Sequence, residues 1–224
     1  IDDTSNTLTL GTSYTNVAGT APNSSSTVNY SVTTIRPSVS SVTFSDNDMK
    51  IDETTTIQIV FSESVTAFSE VDLIAPNGTL SNFSGSGATY SVTYTPNAEV
   101  DVSTNTLTIA STISDSDGNA MSSNNTSSTY KVDTKRPTVT ITSTQITDGD
   151  ASNDAYLDIT FSFSEVVTGF DVSDIVTSKG EIADFTAVEG SQSWTAKFAP
   201  SVKHDATSID IGVGVFSDTA GNTN

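Results

Sequence analysis

The sequence predicts an all-β fold in which tandem β-sandwich domains are joined end to end. Three observations favour this fold class. A segment of about 100 residues recurs along the chain of 224 residues. Apolar and polar residues alternate in short runs, which is the period of a strand with one buried face. No stretch has a sustained helical periodicity, and Ser, Thr, Asn and Asp are abundant.

The recurrence is clear when the residues after Pro37 are aligned with those after Pro137, 100 positions later. Phe61-Ser62-Glu63, for example, returns as Phe163-Ser164-Glu165. Repeats of this length indicate an array of similar domains, in which function belongs to the array rather than to one pocket.

The phase of the repeat divides the chain into three parts. The first part matches only the end of a repeat, and the third part stops before the closing segment that the second one has. We therefore predict a C-terminal fragment of a preceding repeat at 1–36, a complete repeat at 37–136 and a repeat without its last strand at 137–224. We call these the first segment, the middle repeat and the last repeat, and expect them to be a window on a longer polypeptide.

The alternation predicts seven strands in the middle repeat, at 38–44, 55–62, 72–75, 79–84, 88–94, 105–113 and 127–132. The last repeat is expected to have the first six of them, at 138–143, 156–164, 174–178, 181–187, 192–198 and 207–216. Seven short strands in about 100 residues, separated by turn signals, are typical of an immunoglobulin-type (Ig-like) sandwich. The chain has no cysteine, so the disulfide of antibody domains is absent. Trp194, in the fifth strand, is predicted to be a core aromatic.

The composition excludes several classes of function. The net charge is −19, from 27 acidic and 8 basic residues, whereas nucleic acid is bound by a basic face. No apolar run of about 18 residues is present, so direct membrane insertion is not expected. The single histidine, His204, lies in a predicted turn, and serine elbows, phosphate loops and dinucleotide fingerprints are missing. We therefore predict that the chain is not an enzyme.

Acidic residues gather at both ends of each predicted sandwich. The entry end is where the first strand begins, and it also carries the turns between the second and third strands and between the sixth and seventh strands. The exit end carries the turns between the first and second strands and between the fifth and sixth strands. The candidate metal ligands are Asp133, Glu165, Asp171, Asp174 and Asp218 at the entry end of the last repeat, Asp148, Asp150 and Asp154 at its exit end, and Glu63, Asp72, Asp115 and Asp117 at the entry end of the middle repeat.

Carboxylates that converge on one end of a small domain repel one another. A hard divalent cation relieves this repulsion, since Ca²⁺ takes about 6–8 oxygen ligands from carboxylates, carbonyls and water. The sequence therefore predicts Ca²⁺ at the domain joints, above all at Asp133, Glu165 and Asp218, where two ends meet at a linker. The alternative for any single aspartate is a turn former or a solvated charge, because Asp-Gly and Asn-Gly turns are ordinary hairpin chemistry.

Three motifs of the last repeat carry a resemblance to a known family. They are Val132-Asp133-Thr134 with Pro137-Thr138-Val139-Thr140-Ile141, Phe163-Ser164-Glu165 with Asp171-Val172-Ser173-Asp174-Ile175, and Phe216-Ser217-Asp218-Thr219-Ala220-Gly221-Asn222. This pattern resembles the bacterial Ig-like repeats of giant surface adhesins, which include RTX-type and biofilm-associated proteins. The resemblance covers 37–224 well and 1–36 in part.

The resemblance implies tandem sandwiches on a secreted, cell-attached stalk that calcium often rigidifies at the joints. By position, the implied ligands are Asp133, Glu165, Asp174 and Asp218. The chain departs from this pattern at its first joint, where Thr33 stands in the place of Asp133. Asn16 likewise replaces the aspartate of the sixth–seventh turn. This departure argues against a calcium ion between the first segment and the middle repeat.

Together these observations favour an extracellular structural and adhesive repeat at the bacterial cell surface, which holds a binding tip away from the cell. Its expected partners are neighbouring repeats of the same chain, with homotypic assembly as a further possibility. Two alternatives remain open at this point: a subunit of a self-assembling surface filament or layer, and an accessory module of a secreted polysaccharide-degrading enzyme.

Overall fold

The computed structural model describes residues 3–21, 23, 25–188, 190, 192–201 and 206–224. The fold is all-β, as the alternation predicts, and the described helical residues are limited to two 3-10 turns at Glu70–Asp72 and Val172–Asp174. His204, Lys203 and Asp205, in the turn predicted before the sixth strand of the last repeat, lie outside the described residues.

The strands are numbered in chain order. The first segment has β1 (Asp3–Asn6), β2 (Thr9–Leu10), β3 (Ser25–Ser26) and β4 (Tyr30–Val32). The middle repeat has β5 (Val39–Phe44), β6 (Asp48–Met49), β7 (Thr55–Phe61), β8 (Leu73–Ile74), β9 (Gly78–Ser86), β10 (Thr89–Pro96), β11 (Asp101–Asn105), β12 (Thr108–Ile109), β13 (Asn125–Thr126) and β14 (Tyr130–Asp133). The last repeat has β15 (Val139–Ser143), β16 (Leu157–Phe163), β17 (Val167–Thr168), β18 (Ile175–Ser178), β19 (Gly180–Ala187), β20 (Ser193–Pro200), β21 (Ser208–Ile211) and β22 (Ser217–Asp218).

The middle repeat is a sandwich with a core of its own. One layer is the four-stranded sheet β5-β7-β10-β9, and the other consists of the sheets β11-β14-β6 and β13-β12-β8. Alternate residues of β7 are buried, and they pack in one cluster with Leu107, Ile109, Tyr130 and Val132 from the second layer. Burial of one face of each sheet is what the period-2 pattern predicts.

The structure differs from the prediction in the two closing strands of the middle repeat, where it has four short strands instead of two. The strand predicted at 105–113 contains β12, which pairs with β8 and β13. It includes only the last residue of β11, which pairs with β14 and was not predicted as a strand. The strand predicted at 127–132 corresponds to β14, and β13 lies just before its predicted start. A register shift between Val102 and Asn105 interrupts the pairing of β11 with β14, and alternation alone does not reveal such a shift. The short β6, which runs parallel to β14, was not predicted.

The last repeat has a second, separate core. Its four-stranded sheet β15-β16-β20-β19 has the same strand order as that of the middle repeat, and it is covered by the pairs β18–β21 and β17–β22. Trp194 is buried, with its ring edge-to-face against Phe163 and Phe170, so its predicted core role is confirmed. Each repeat therefore holds its own apolar cluster.

The first segment forms a hairpin with the pairing of the closing strands of the middle repeat. Asn6 lies opposite Tyr30 as Asn105 lies opposite Tyr130. Its apolar residues, however, are uncovered: Leu8 is 69% exposed, whereas the corresponding Leu107 is fully buried. The hairpin thus presents to solvent the face that the middle repeat packs into its core.

Candidate metal centre

The second joint, residues 133–137, begins with residues that are fixed to the middle repeat. Asp133 ends β14 and lies opposite Asp101 of β11. Thr134 donates its hydroxyl proton to the carbonyl of Asn97 at 2.6 Å and accepts a hydrogen bond from the backbone N–H of Val100 at 3.0 Å. Because both residues are held by neighbouring strands and turns, the position of the Asp133 carboxylate is set by the exit end of the middle repeat.

A tight turn of the last repeat, the Asp218 turn (residues 218–222), lies against this joint. Oδ1 of Asp218 accepts hydrogen bonds from the backbone N–H groups of Gly221 and Asn222, at 2.7 and 2.8 Å. Its Oδ2 accepts from Nδ2 of Asn222 at 2.8 Å. The turn thereby holds a buried carboxylate in a single orientation.

Glu165 completes the group, two residues after the end of β16. Carboxylate oxygens of Asp133, Glu165 and Asp218 all lie within 4.8 Å of one another. Within the described part of the chain, no other set of three His, Cys, Asp or Glu side chains converges in this way. The three residues that the sequence singled out as the best candidates are therefore brought together, from both sides of the joint.

The electrostatics of the cluster reflect this crowding. Burial raises the pKa of Asp133, and the neighbouring Asp218 raises it further. The pKa of Glu165 is raised by burial first and then by Asp218 and Asp133. In each case the nearby lysines, Lys131 or Lys135, oppose these effects only weakly. Ionising such neighbouring carboxylates together is costly, and a divalent cation bound between them stabilises their ionised forms.

Asp101 is a fourth carboxylate near the cluster and was missed in the sequence. Its charge contributes to the raised pKa of both Asp133 and Glu165. The residue lies in a stretch that reads as a turn before a strand, and it reaches the joint only because β11 pairs with β14. Asn222 was also missed as a candidate, although it stands in the quoted motif.

The equivalent position at the first joint has a different arrangement. Asp115 accepts hydrogen bonds at Oδ1 from the backbone N–H groups of Asp117 and Asn119 and at Oδ2 from the Asn119 side chain, all at 2.9 Å. The Asn119 side chain is the main reason why the pKa of Asp115 lies below its usual value. Thr33 supplies no carboxylate there, so Glu63 and Asp115 are not part of a converging acidic group of the described residues. The side chain of Asp117 is exposed.

Three further candidates cap the 3-10 turns. Oδ2 of Asp72 accepts from the backbone N–H of Ser69 at 3.0 Å, and Oδ2 of Asp174 accepts from that of Asp171 at 2.8 Å. Oδ1 of Asp171 accepts from the N–H of Ser173 at 2.7 Å, and the hydrogen bonds from Ser173 lower the pKa of Asp171. These carboxylates have local structural partners, and a ligand role for them stays a prediction.

The remaining candidates, Asp148, Asp150 and Asp154, lie in the exposed loop between β15 and β16. Oδ2 of Asp154 accepts from the hydroxyl of Ser152 at 2.6 Å. The loop does not bring three carboxylates of the described residues within reach of one ion, and its ligand role is likewise untested.

Comparison with known proteins identifies the family. The model of the bacterial Ig-like domain matches residues 33–132 and again 133–224, so the chain belongs to this family as two tandem copies. No curated protein and no solved structure gave a match. Domains of this family are typically non-catalytic modules and are commonly extracellular. Among the described residues, none belongs to a helix with the length and apolarity needed to cross a membrane.

Proposed function

We propose that the chain is part of the stalk of an extracellular bacterial surface adhesin and that Ca²⁺ stiffens its second joint. One observation carries this proposal: carboxylates of Asp133, Glu165 and Asp218 meet at the junction of two repeats. An ion held between them ties the exit end of the middle repeat to the entry end of the last repeat. A cation at such a junction limits the relative motion of the repeats.

The donor set suits calcium better than a softer metal. Its side chains are all carboxylates, which are hard oxygen ligands, and the chain has no cysteine. Asp133, Glu165 and Asp218 would hold the ion, and Asp101 lies close enough for its charge to act on the site. Water and backbone carbonyls supply the remaining oxygens of a calcium shell.

The architecture supports the stalk function. Each repeat has a separate core, so repeats added in tandem lengthen the array without changing one another. A net charge of −19 keeps such an array soluble and favours cations over anionic partners.

The test is a calcium titration of the full chain by calorimetry, combined with thermal melts in calcium and in chelator. Ligand binding to the folded state alone adds about 2.7 kcal/mol of stability at a hundredfold excess over Kd. We expect Asp133→Asn and Glu165→Gln to remove most of this gain. Asp184→Asn is the matched control, because Asp184 pairs with Lys197 at 3.1 Å on the surface of the last repeat, apart from the cluster. Melting curves of the parent chain that coincide in calcium and in chelator would refute the proposal.

We further propose that the first segment is the closing hairpin of another Ig-like repeat. The support is its strand pairing, which matches that of β11 to β14, and its uncovered apolar face. The strands of a neighbouring repeat, in the same chain or in a second copy, are the expected cover. Sedimentation of the parent chain and of a Leu8→Ser, Leu10→Ser variant tests the homotypic case. Self-association that the substitutions leave unchanged would exclude this hairpin as the contact.

A further inference from the structure

Asn222 lies at the contact between the two repeats, and its side chain is buried. Nδ2 donates to the backbone carbonyl of Asp133 at 2.9 Å as well as to Asp218. Oδ1 accepts a hydrogen bond from the backbone N–H of Ile51 at 2.9 Å. One amide therefore joins the Asp218 turn of the last repeat to two separate parts of the middle repeat, the turn at 50–54 and the end of β14.

The chemistry of these partners leaves the amide one orientation. The Ile51 N–H can only donate, and the Asp133 carbonyl and the Asp218 carboxylate can only accept. Both amide protons and the amide oxygen are thus used in the buried contact. Opening the joint breaks the bonds to Ile51 and Asp133 together, because both partners belong to the middle repeat.

Two further residues, Lys50 and Arg136, lie next to the Asp218 turn. The side chain of Lys50 lies beside Gly221, where a Cβ would come within 3.5 Å of the lysine Nζ. Gly221 has φ +95°, a conformation that favours glycine, so the turn can expose Asn222 to the neighbouring repeat. Arg136 of the joint donates to the carbonyl of Thr223 at 2.6 Å.

We propose that the exit end of one repeat is a docking surface for the Asp-x-x-Gly-Asn turn of the next repeat, and that Asn222 clamps the second joint without any metal ion. The partner of the surface is thus another repeat of the same kind. The middle repeat carries the same turn at Asp115–Asn119, and Nδ2 of Asn119 lies 3.5 Å from the carbonyl of Thr33. One arm of the clamp is therefore also present at the first joint.

The test measures the distance between the two repeats in the full chain, with a chelator present throughout. Because the chain has no cysteine, spin labels can be attached to cysteines introduced at Gln58 and Ser162, which are exposed strand residues of the middle and last repeats. We expect one narrow distance distribution for the parent chain. The distribution should broaden in Asn222→Ala and in Asn222→Asp, which keeps the shape of the side chain but loses both N–H donors. Asn119→Ala is the matched control and should retain the narrow distribution.

Melts followed by Trp194 fluorescence show whether the last repeat is folded in each variant. A distribution that stays narrow in both folded Asn222 variants would overturn the clamp. A distance distribution of the parent chain that is broad in chelator and narrows only with Ca²⁺ would also overturn the clamp. It would leave the proposed calcium function intact. A distance distribution of the parent chain that is narrow in chelator and does not change with Ca²⁺ would support the clamp and count against calcium stiffening.

Discussion

At the scale of single residues, one exchange removes a carboxylate from the first joint. Thr33 and Asp133 hold equivalent positions, and each carbonyl faces the asparagine of the following turn. At the first joint the pKa of Asp115, in the turn, is lowered. At the second joint the pKa of Asp133, in the linker, is raised. The carboxylate of Asp115 accepts hydrogen bonds from its own turn. Asp133, in contrast, adds a third carboxylate to a site that already holds Glu165 and Asp218.

The raised pKa values predict how the metal-free joint depends on pH. Asp133 and Glu165 titrate above their ordinary values of 3.8 and 4.5, so the folded chain holds protons there that the unfolded chain has released. Their stabilising contribution is complete below those ordinary values and is lost as the pH rises through the raised pKa values. In chelator, the melting temperature of Asp133→Asn relative to the parent chain should therefore increase as the pH rises above about 4.

Asp184→Asn, which alters an exposed ion pair, should show no such increase. In calcium at neutral pH, the order of the two melting temperatures should reverse, so that Asp133→Asn melts below the parent chain. A difference between Asp133→Asn and the parent chain that stays constant with pH would contradict the electrostatic account of the cluster.

At the scale of elements, the divided closing strands shape the entry and exit ends. The break between β11 and β12 is held by Asn105, which is 3% exposed. Its Nδ2 donates to the carbonyl of Val102 at 3.0 Å, and its Oδ1 accepts from the side chain of Asn77 at 2.5 Å. Next to this break β11 pairs with β14, and Asp101 lies opposite Asp133.

Removal of the Asn105 side chain should therefore destabilise the middle repeat. Asn105→Ala leaves buried polar groups without their partner, at a cost of about 1–3 kcal/mol. Asn6 stands at the same place in the first segment, where the hairpin is uncovered, and Asn6→Ala should cost much less. Chemical denaturation followed by circular dichroism measures both variants. Equal effects of the two substitutions would show that burial at the break is not the cause.

At the scale of the whole molecule, two cores are joined by a short linker and polar contacts. The clusters around Ile57 and Ile159 have no residue in common. The contacts across the joint include the bonds of Asn222 to Ile51 and Asp133. Such a molecule can lose one core while it keeps the other.

The corresponding prediction uses Trp194, the only tryptophan of the chain, as a reporter of the last repeat. Ile57→Ala should destabilise the middle repeat by about 2–5 kcal/mol and leave the fluorescence transition of Trp194 nearly unchanged. Ile159→Ala, the equivalent change in the last repeat, should shift that transition. If both substitutions shift the Trp194 transition equally, the two repeats unfold as one cooperative unit and the prediction is wrong.

The sequence by itself determined the fold class and the approximate position of the strands. Alternation such as that of Ile57, Ile59 and Phe61 is set by the two faces of a strand, so it can be read locally. The repeat placed Asp133, Glu165 and Asp218 at one end because it indicates the order of strands and turns. The family match confirms tandem bacterial Ig-like domains.

The tertiary structure decided which acidic residues meet. Asp72, Asp171 and Asp174 look like ligands in the sequence, yet they accept hydrogen bonds from nearby backbone N–H groups, and only their turns reveal this. Asp101 and Asn222 come to the joint through strand pairing and contact between repeats, over separations of 32 and 89 residues. Local patterns carry no information on such distant pairs, because their geometry depends on bulges and turns that change the register between strands.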